Sequence, residues 1–130
     1  MVIDTSAITA ILFDEDEAER MEIAIEEDPV RLLSAASLLE ASIVIETRYG
    51  EPGGRELDLL LHRAQIEIAS VDAALTDVAR GAYRKWGRRR SPAGLNFGDC
   101  FSYALSKTSG EPLLFKGEDL ARTDVARVEY

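Results

Sequence analysis

Residues 1–8, MVIDTSAI, place an acid directly after a short apolar run, at the point where a strand would give way to a helix. We predict a strand over Met1–Ile3 and a short helix over Ser6–Phe13. Asp4 stands between them, where an aspartate can accept hydrogen bonds from the first free amides of the helix. That cap is a sufficient explanation on its own, so any further role for Asp4 depends on the rest of the chain.

The same alternation of strands and helices continues to the end of the chain. Further strands are predicted over residues 30–33, 66–69 and 113–115, with a last edge strand over 126–129. Further helices are predicted over residues 16–27, 37–49, 55–64, 72–86 and 97–107, with Gly50 and the Pro52-Gly53-Gly54 break separating the helices 37–49 and 55–64. Because parallel strands need crossover connections, this order predicts an α/β fold, a three-layer α/β/α sandwich with a mostly parallel central sheet.

Composition limits the class of protein. The 130 residues, 46% of them hydrophobic, can build one core, and without a linker or repeat we predict a single domain over 1–130. Neither a signal sequence nor a membrane-spanning run is recognisable, so we expect a soluble cytoplasmic protein with no membrane contact. The formal net charge of −9 argues against general nucleic-acid affinity, which depends on Lys and Arg.

Glu40 is the most informative acid. On the predicted helix 37–49 its neighbours at three- and four-residue spacing are Ala36, Ile43, Val44 and Thr47. We therefore expect Glu40 on a core-facing stripe, where a carboxylate is costly unless it is paired, hydrogen-bonded or bound to a metal. A position at the rim of the stripe, with the carboxylate in water, is the alternative.

Two further acids, Asp99 and Asp119, complete a set. Asp99 lies in the first turn of the helix 97–107, where the helix dipole favours an acid, and Asp119 follows the strand 113–115. Asp4 and Asp119 follow strands, and Glu40 and Asp99 belong to helices at the same carboxyl edge of the predicted sheet, where ligands bind in open parallel sheets. Clustered carboxylates repel one another unless a cation neutralises them, and hard oxygen ligands suit Mg²⁺ or Mn²⁺. A metal held in this way can activate water for attack on a phosphoryl group.

Four stretches of the chain match the pattern of a known family: MVIDTSAI (1–8), SLLEASIVIE (37–46), LNFGDCFSYALSK (95–107) and PLLFKGEDL (112–120). Over essentially its whole length the chain resembles the PIN-domain family, and within it the VapC-type toxins of bacterial toxin-antitoxin modules. The resemblance implies an endoribonuclease that hydrolyses RNA phosphodiester bonds with Mg²⁺, for which Mn²⁺ substitutes.

The resemblance also implies roles for single residues. Asp4, Glu40 and Asp99 would be catalytic acids that hold the metal, Asp119 would be a more variable fourth catalytic acid, and Ser6 would support Asp4. Many VapC-like proteins carry one more acid two residues before the position of Asp119, where this chain has Gly117. With glycine at this position, the resemblance does not by itself imply a second metal site.

The partners implied by the resemblance are an RNA substrate, a second copy of the chain in a homodimer, and a small VapB-like antitoxin that fills the acidic groove. An acidic pocket without activity, which binds an arginine-bearing partner, is the alternative. A phospho-acceptor receiver domain is disfavoured, because it needs an acid pair after the first strand and MVIDTS contains one acid.

The basic tract at residues 84–90, RKWGRRR, is the remaining feature. Arg88, Arg89 and Arg90 are candidates for binding RNA phosphates, with Tyr83 or Trp86 available to stack on bases. The alternative is a solvated loop that offsets the acidic segment 14–28.

Overall fold

Four short strands form one parallel sheet in the computed structural model, which describes residues 1–130. The elements along the chain are β1 (Val2–Ile3), α1 (Thr5–Leu12), α2 (Ala18–Glu27), β2 (Leu32–Ser34), α3 (Ala35–Arg63), β3 (Glu67–Ala69), α4 (Ala73–Trp86), α5 (Phe97–Ser109), β4 (Leu113–Leu114) and a 3-10 helix (Leu120–Arg122). The strand order is β3-β2-β1-β4, and every pairing is parallel. The predicted parallel sheet is confirmed.

Side chains of β1 alternate between the two faces of the sheet, as the pleat of a strand requires. Ile3 packs into a hydrophobic cluster with residues of α1, α2 and α3, and Val2 into a second cluster with residues of α4 and α5. Both side chains are fully buried. Helices therefore cover both faces of the sheet, and the predicted three-layer α/β/α sandwich is confirmed.

The strand order reverses at β1. The chain runs from β1 through β2 to β3 in one direction, and β4 then lies on the other side of β1. Such a reversal leaves a crevice beyond the carboxyl ends of the two strands that flank it. Asp4 and Lys116 follow these strands, and two hydrogen bonds join the segments: Asp4 N to Leu114 O, 2.9 Å, and Lys116 N to Ser6 Oγ, 2.9 Å.

Helix α3 contains a kink at the position where we predicted a break. Gly50 has φ 65°, outside the helical region, so the first helical segment ends there as predicted. The predicted break at 52–54 is wrong, because the helix resumes at once with Pro52 near its start, where a missing N–H is tolerated. Gly53 is buried at the kink, and a Cβ there would lie 2.9 Å from a methyl carbon of Ile45, so only glycine lets the segments pack this closely.

Element boundaries differ slightly from the predictions. The second strand begins at Leu32, two residues later than predicted. The predicted edge strand 126–129 is reduced to a single parallel bridge between Leu113 and Arg127. None of the helices has the length and apolar character needed to span a membrane.

Candidate active site

Asp4 is buried at the reversal point and its carboxylate accepts three hydrogen bonds. Oδ2 accepts from the hydroxyl of Ser6, 2.6 Å, and from the backbone N–H of Ser6, 2.9 Å, so Asp4 caps α1 as predicted. Oδ1 accepts from the hydroxyl of Ser102, 2.5 Å. The side chain is 4% exposed. These contacts fix the orientation of the carboxylate and leave it little freedom to rotate.

Ser102 belongs to a chain of buried hydroxyls that the sequence analysis missed. Its Oγ lies 3.2 Å from Oγ of Ser37, which lies 3.0 Å from Oγ of Ser34. The Ser34 oxygen accepts from the backbone N–H of Ser37, which leaves the Ser34 hydroxyl free to donate. Ser34 can then donate to Ser37, Ser37 to Ser102, and Ser102 to Asp4. The sequence contains one indication of this role for Ser102: it stands three residues after Asp99 and so shares a face of α5 with it.

Glu40 lies at the rim of α3, and the core-facing stripe that we predicted for it is wrong. The buried face of the helix runs through Ser37, Ala41 and Ile45, whereas Ile43 is 58% exposed. Glu40 itself is half-buried. The rim position of the alternative is therefore confirmed, but the carboxylate is not left in water, because it accepts a hydrogen bond from Thr5.

The carboxylate of Glu40 nevertheless makes two defined contacts. Its Oε2 accepts a hydrogen bond from the hydroxyl of Thr5, 2.7 Å. A Cβ on Gly98 would lie 2.3 Å from Oε2 and 2.5 Å from Oε1, so the carboxylate rests directly against the backbone of this glycine. Gly98 precedes Asp99, and this contact brings Glu40 to the start of α5.

Asp99 caps the start of α5 together with Asn96. The Asn96 side chain accepts from the N–H of Asp99, and the Asp99 carboxylate accepts from the N–H of Asn96, each at 2.9 Å. Burial raises the pKa of Asp99 to about 6, with further increases from the charges of Asp4, Asp119 and Glu40. The four acids are therefore close enough for the other three to oppose ionisation of the fourth.

Asp119 is the peripheral member of this group. It is exposed and precedes the 3-10 helix without capping it. Gly117, two residues earlier, has φ 105°, a conformation that other residues rarely adopt. The position therefore suits a glycine turn, and Asp119 approaches the site from its solvent side.

The donor set suits a divalent cation that keeps part of its water shell. No three His, Cys, Asp or Glu side chains are arranged to hold a metal ion by themselves. Carboxylate oxygens are the ligands that Mg²⁺ prefers, and Mg²⁺ is commonly bound by one or two carboxylates while it retains several waters. Burial is the main cause of the raised pKa of Asp99 and the three neighbouring charges add to it; a bound cation would offset both.

The neighbouring basic residues have separate positions. Lys116 pairs with Glu15 and Glu17, at 2.6 and 2.8 Å, and so ties the segment after β4 to the acidic segment before α2. The three arginines at the end of the basic tract, Arg88, Arg89 and Arg90, are all exposed. A separate, largely apolar groove runs between α4 and α5, and of the three only Arg88 lines it.

Trp86 is not available for stacking on bases. It is half-buried in the cluster beneath α4 and α5, and its N–H points to the hydroxyl of Tyr103, 3.4 Å.

Cys100 is 5% exposed, and burial raises the pKa of its thiol to about 11, which does not suit a nucleophile.

Loss of the Ser102 hydroxyl should destabilise the fold. We expect Ser102→Ala to lower the free energy of unfolding by about 1–3 kcal/mol, because the buried Asp4 Oδ1 loses its donor. Ser42→Ala is the control, since the Ser42 hydroxyl donates only to Leu38 O within its own helix, and its effect should stay within about 0.5 kcal/mol. Urea denaturation measures both variants, and equal losses would contradict the role of the hydroxyl chain.

The raised pKa of Asp99 predicts a pH-dependent stability. The folded state binds this proton more tightly than the unfolded chain, so ionisation of Asp99 destabilises the metal-free protein above about pH 6, and the penalty disappears below the ordinary value of 3.8. We expect Asp99→Asn to be more stable than the wild type by about 1 kcal/mol in neutral buffer, because it removes the cost of burying the charge and the repulsion by the other acids, both reduced by the partial exposure of the side chain. The difference should vanish as the pH falls through this window. Urea denaturation in EDTA tests this, and a pH-independent difference would contradict it.

The sequence of the chain matches a known protein family and named relatives. The PIN domain family matches residues 1–126. A curated protein named ribonuclease VapC, from Mycolicibacterium smegmatis, is 64% identical over 128 residues, which are 98% of this chain and 99% of that protein. Ribonuclease VapC30 of Mycobacterium tuberculosis is 62% identical over 128 residues and 98% of each chain.

Solved structures show the same fold at low sequence identity. Mycobacterium tuberculosis VapC20, described as a toxin that cleaves the sarcin-ricin loop, has a TM-score of 0.80 at 18% identity and covers 98% of this chain and 97% of its own. VapBC2 of Rickettsia felis, bound to a DNA fragment from its promoter, has a TM-score of 0.74 at 16% identity, with 98% and 96% covered. From the family match and the extent of identity, the chain belongs to the PIN-domain family and, within it, to the VapC ribonucleases.

Proposed function

We propose that this protein is the endoribonuclease toxin of a VapBC-type toxin-antitoxin pair and that it hydrolyses RNA phosphodiester bonds with Mg²⁺, for which Mn²⁺ substitutes. The observation that carries the proposal is the placement of three acids around α5: Ser102 of α5 donates to Asp4, and the Glu40 carboxylate lies against Gly98, next to Asp99. The charges of Asp4, Asp119 and Glu40 add to the effect of burial on the pKa of Asp99. The curated relatives at 62–64% identity are named as ribonucleases, which supports the reaction class.

Asp4, Glu40 and Asp99 would hold the cation, directly or through water. A bound divalent cation supplies positive charge to the phosphodiester and promotes ionisation of the attacking water. Asp4 is the most rigid of the three acids, because both of its oxygens are held by serine hydroxyls. Its orientation is therefore set before any ligand arrives, which lowers the cost of assembling the site.

The other acids complete the pocket in different ways. Thr5 and Gly98 hold Glu40 at the edge of the pocket. Asp99 binds a proton more tightly than an ordinary aspartate until a cation arrives, because its pKa is raised to about 6. Asp119 lies on the solvent side, where it adds negative charge and can accept a hydrogen bond from water or RNA.

The assembly that we propose contains a homodimer and a VapB-like antitoxin. Support for the antitoxin comes from VapBC2 of Rickettsia felis and from a toxin-antitoxin complex of Klebsiella pneumoniae, whose TM-score is 0.71.

Support for the homodimer comes from α3, where Leu39 is 62% and Ile43 is 58% exposed. Side chains of this size are usually covered when they lie together, so this face suits the second copy. Light scattering on the purified chain measures the dimer.

A catalytically silent pocket for an arginine-bearing partner is the second candidate. The acidic cluster favours it as much as it favours a metal, because a guanidinium also relieves repulsion between carboxylates. The two functions differ in turnover, which only the nuclease has.

Cleavage of total RNA by the purified, antitoxin-free chain tests the proposal. We expect discrete cuts with Mg²⁺ or Mn²⁺, and no cuts when EDTA is present. No cutting by the folded chain with either metal would overturn the nuclease and favour the arginine-binding pocket. Cuts that persist in EDTA would overturn the metal dependence alone.

A further inference from the structure

A groove of about 620 Å³ between α4 and α5 lies beside the acids and takes no part in the proposed chemistry. Its floor is apolar, with Leu95 and Cys100 buried beneath it. Its rim carries Phe97, which is 79% exposed, and Tyr83, which is 42% exposed. No other large hydrophobic side chain of the chain is as exposed as Phe97, so an occupant of this groove would cover a large exposed aromatic ring.

The two aromatic rings are held in place at the rim. The ring of Phe97 meets the ring of Phe101 edge-on, with centroids 4.9 Å apart. The ring of Tyr83 lies against Gly87, where an added Cβ would approach a ring carbon to 2.6 Å. The guanidinium of Arg90 lies over the ring of Tyr83, 5.7 Å from its centroid, so Phe97 offers the more open ring for stacking of a flat group.

The groove is also positively charged in a protein whose formal net charge is −9. Arg80, Arg84 and Arg88 line it, and neither Arg84 nor Arg88 lies within salt-bridge distance of an acid. Arg80 is paired with Asp77, 3.1 Å, on the same helix. An anionic occupant would give Arg84 and Arg88 the partner that they lack.

Asn96 is the residue that connects the groove with the acids. Asn96 lines the groove, and the backbone N–H of Asn96 donates to the carboxylate of Asp99, 2.9 Å. A nucleic-acid strand that holds a phosphodiester at the acids therefore lies next to the Asn96 end of the groove. The occupant must combine negative charge with flat apolar groups, and single-stranded nucleic acid has both.

We propose that the α4/α5 groove binds an unpaired nucleobase of the RNA next to the cleaved phosphodiester, with Phe97 and Tyr83 stacking on the base and Arg84 and Arg88 on its phosphates. This proposal rests on the proposed ribonuclease function. It replaces Trp86 with Phe97 as the stacking residue and moves the phosphate contacts from Arg89 and Arg90 toward α4.

A double-mutant cycle in EDTA tests the proposal without any turnover. The binding of a short single-stranded RNA is compared with the binding of the same RNA carrying one abasic position, scanned along the strand, for the wild type and for Phe97→Ala. We expect one position at which base removal weakens binding by the wild type by about five- to hundredfold. Phe97→Ala should weaken binding of the intact RNA by a similar factor, and base removal should then have no further effect.

Two further variants sharpen the result. Phe97→Ala is not expected to disturb folding, because the side chain is 79% exposed, and circular dichroism checks this. Ile23→Ala is the matched control, since Ile23 is 48% exposed on α2, outside the groove, and it should bind RNA as the wild type does. Arg84→Gln should make the plot of log affinity against log salt concentration less steep, by the amount expected for the loss of one phosphate contact.

The outcomes separate this proposal from the nuclease. Base removal and Phe97→Ala acting independently, or no RNA binding at all by the wild type, would overturn the groove. A change in molecular mass for Phe97→Ala with unchanged RNA affinity would overturn it in favour of an interface between two copies. Cleavage of RNA by the wild type is measured in a separate experiment with Mg²⁺. If RNA binding shows the expected double-mutant cycle but no RNA is cleaved, only the nuclease proposal is overturned.

Discussion

Asp4→Asn should abolish RNA cleavage, with a loss of at least about a hundredfold, and leave the fold intact. The substitution removes a charge at nearly constant volume from the most rigid acid of the site. The fold should tolerate it because the hydrogen bonds can be reversed: the amide oxygen still accepts from Ser6 N, and the amide nitrogen can donate to the Ser102 hydroxyl. Cleavage gels and thermal unfolding measure the two effects.

Asp16→Asn is the matched control for this variant. Asp16 is an exposed acid before α2, so the change in net charge is the same and the site is untouched. Its cleavage rate should equal that of the wild type. An undiminished rate in Asp4→Asn would show that the metal assignment of Asp4 is wrong, and an unfolded Asp4→Asn chain would show that the hydroxyl network cannot reverse.

Gly98→Ala should reduce cleavage by about a hundredfold without loss of stability. The added methyl group would overlap the carboxylate of Glu40, whose Cδ would lie only 2.6 Å away. Glu40 ends a flexible side chain at the rim, so it moves aside at little cost to the fold, and its hydrogen bond with Thr5 is lost or distorted. An alanine is also more favourable than a glycine in a helix by up to about 1 kcal/mol, which offsets the cost.

Gly81→Ala separates the local effect from the general one. Gly81 lies inside α4, and the atom nearest to an added Cβ is a side-chain nitrogen of Arg84 at 3.8 Å. We expect this variant to be more stable than the wild type and equally active. If Gly98→Ala cleaves at the wild-type rate, the position of Glu40 is not needed for the reaction; if it unfolds, the carboxylate is held more rigidly than its rim position implies.

The single sequence was sufficient for the order of the elements and for the acids. A helix cap explains Asp4 and the helix dipole explains Asp99 when each is taken alone. They were selected because the four acids fall together at the carboxyl edge of the predicted sheet and because the stretches around them resemble the PIN-domain family. Glu40 was chosen for a wrong reason, since we placed it on the buried face of α3. Periodicity over one helix identifies an apolar stripe, but Ile43 and Val44 are exposed and the stripe that faces the core passes through Ser37, Ala41 and Ile45.

Local patterns determined the strands, the helices, the Gly50 kink and the edge of the sheet at which the acids gather, because each depends on neighbours within a few residues. Only the tertiary structure decided which groups hold those acids. Ser102 reaches Asp4 across 98 positions of the chain, and Gly98 makes room for Glu40 because α3 and α5 pack closely. Contacts of this kind arise when separate helices pack on the same sheet, and no spacing along one helix or strand records them.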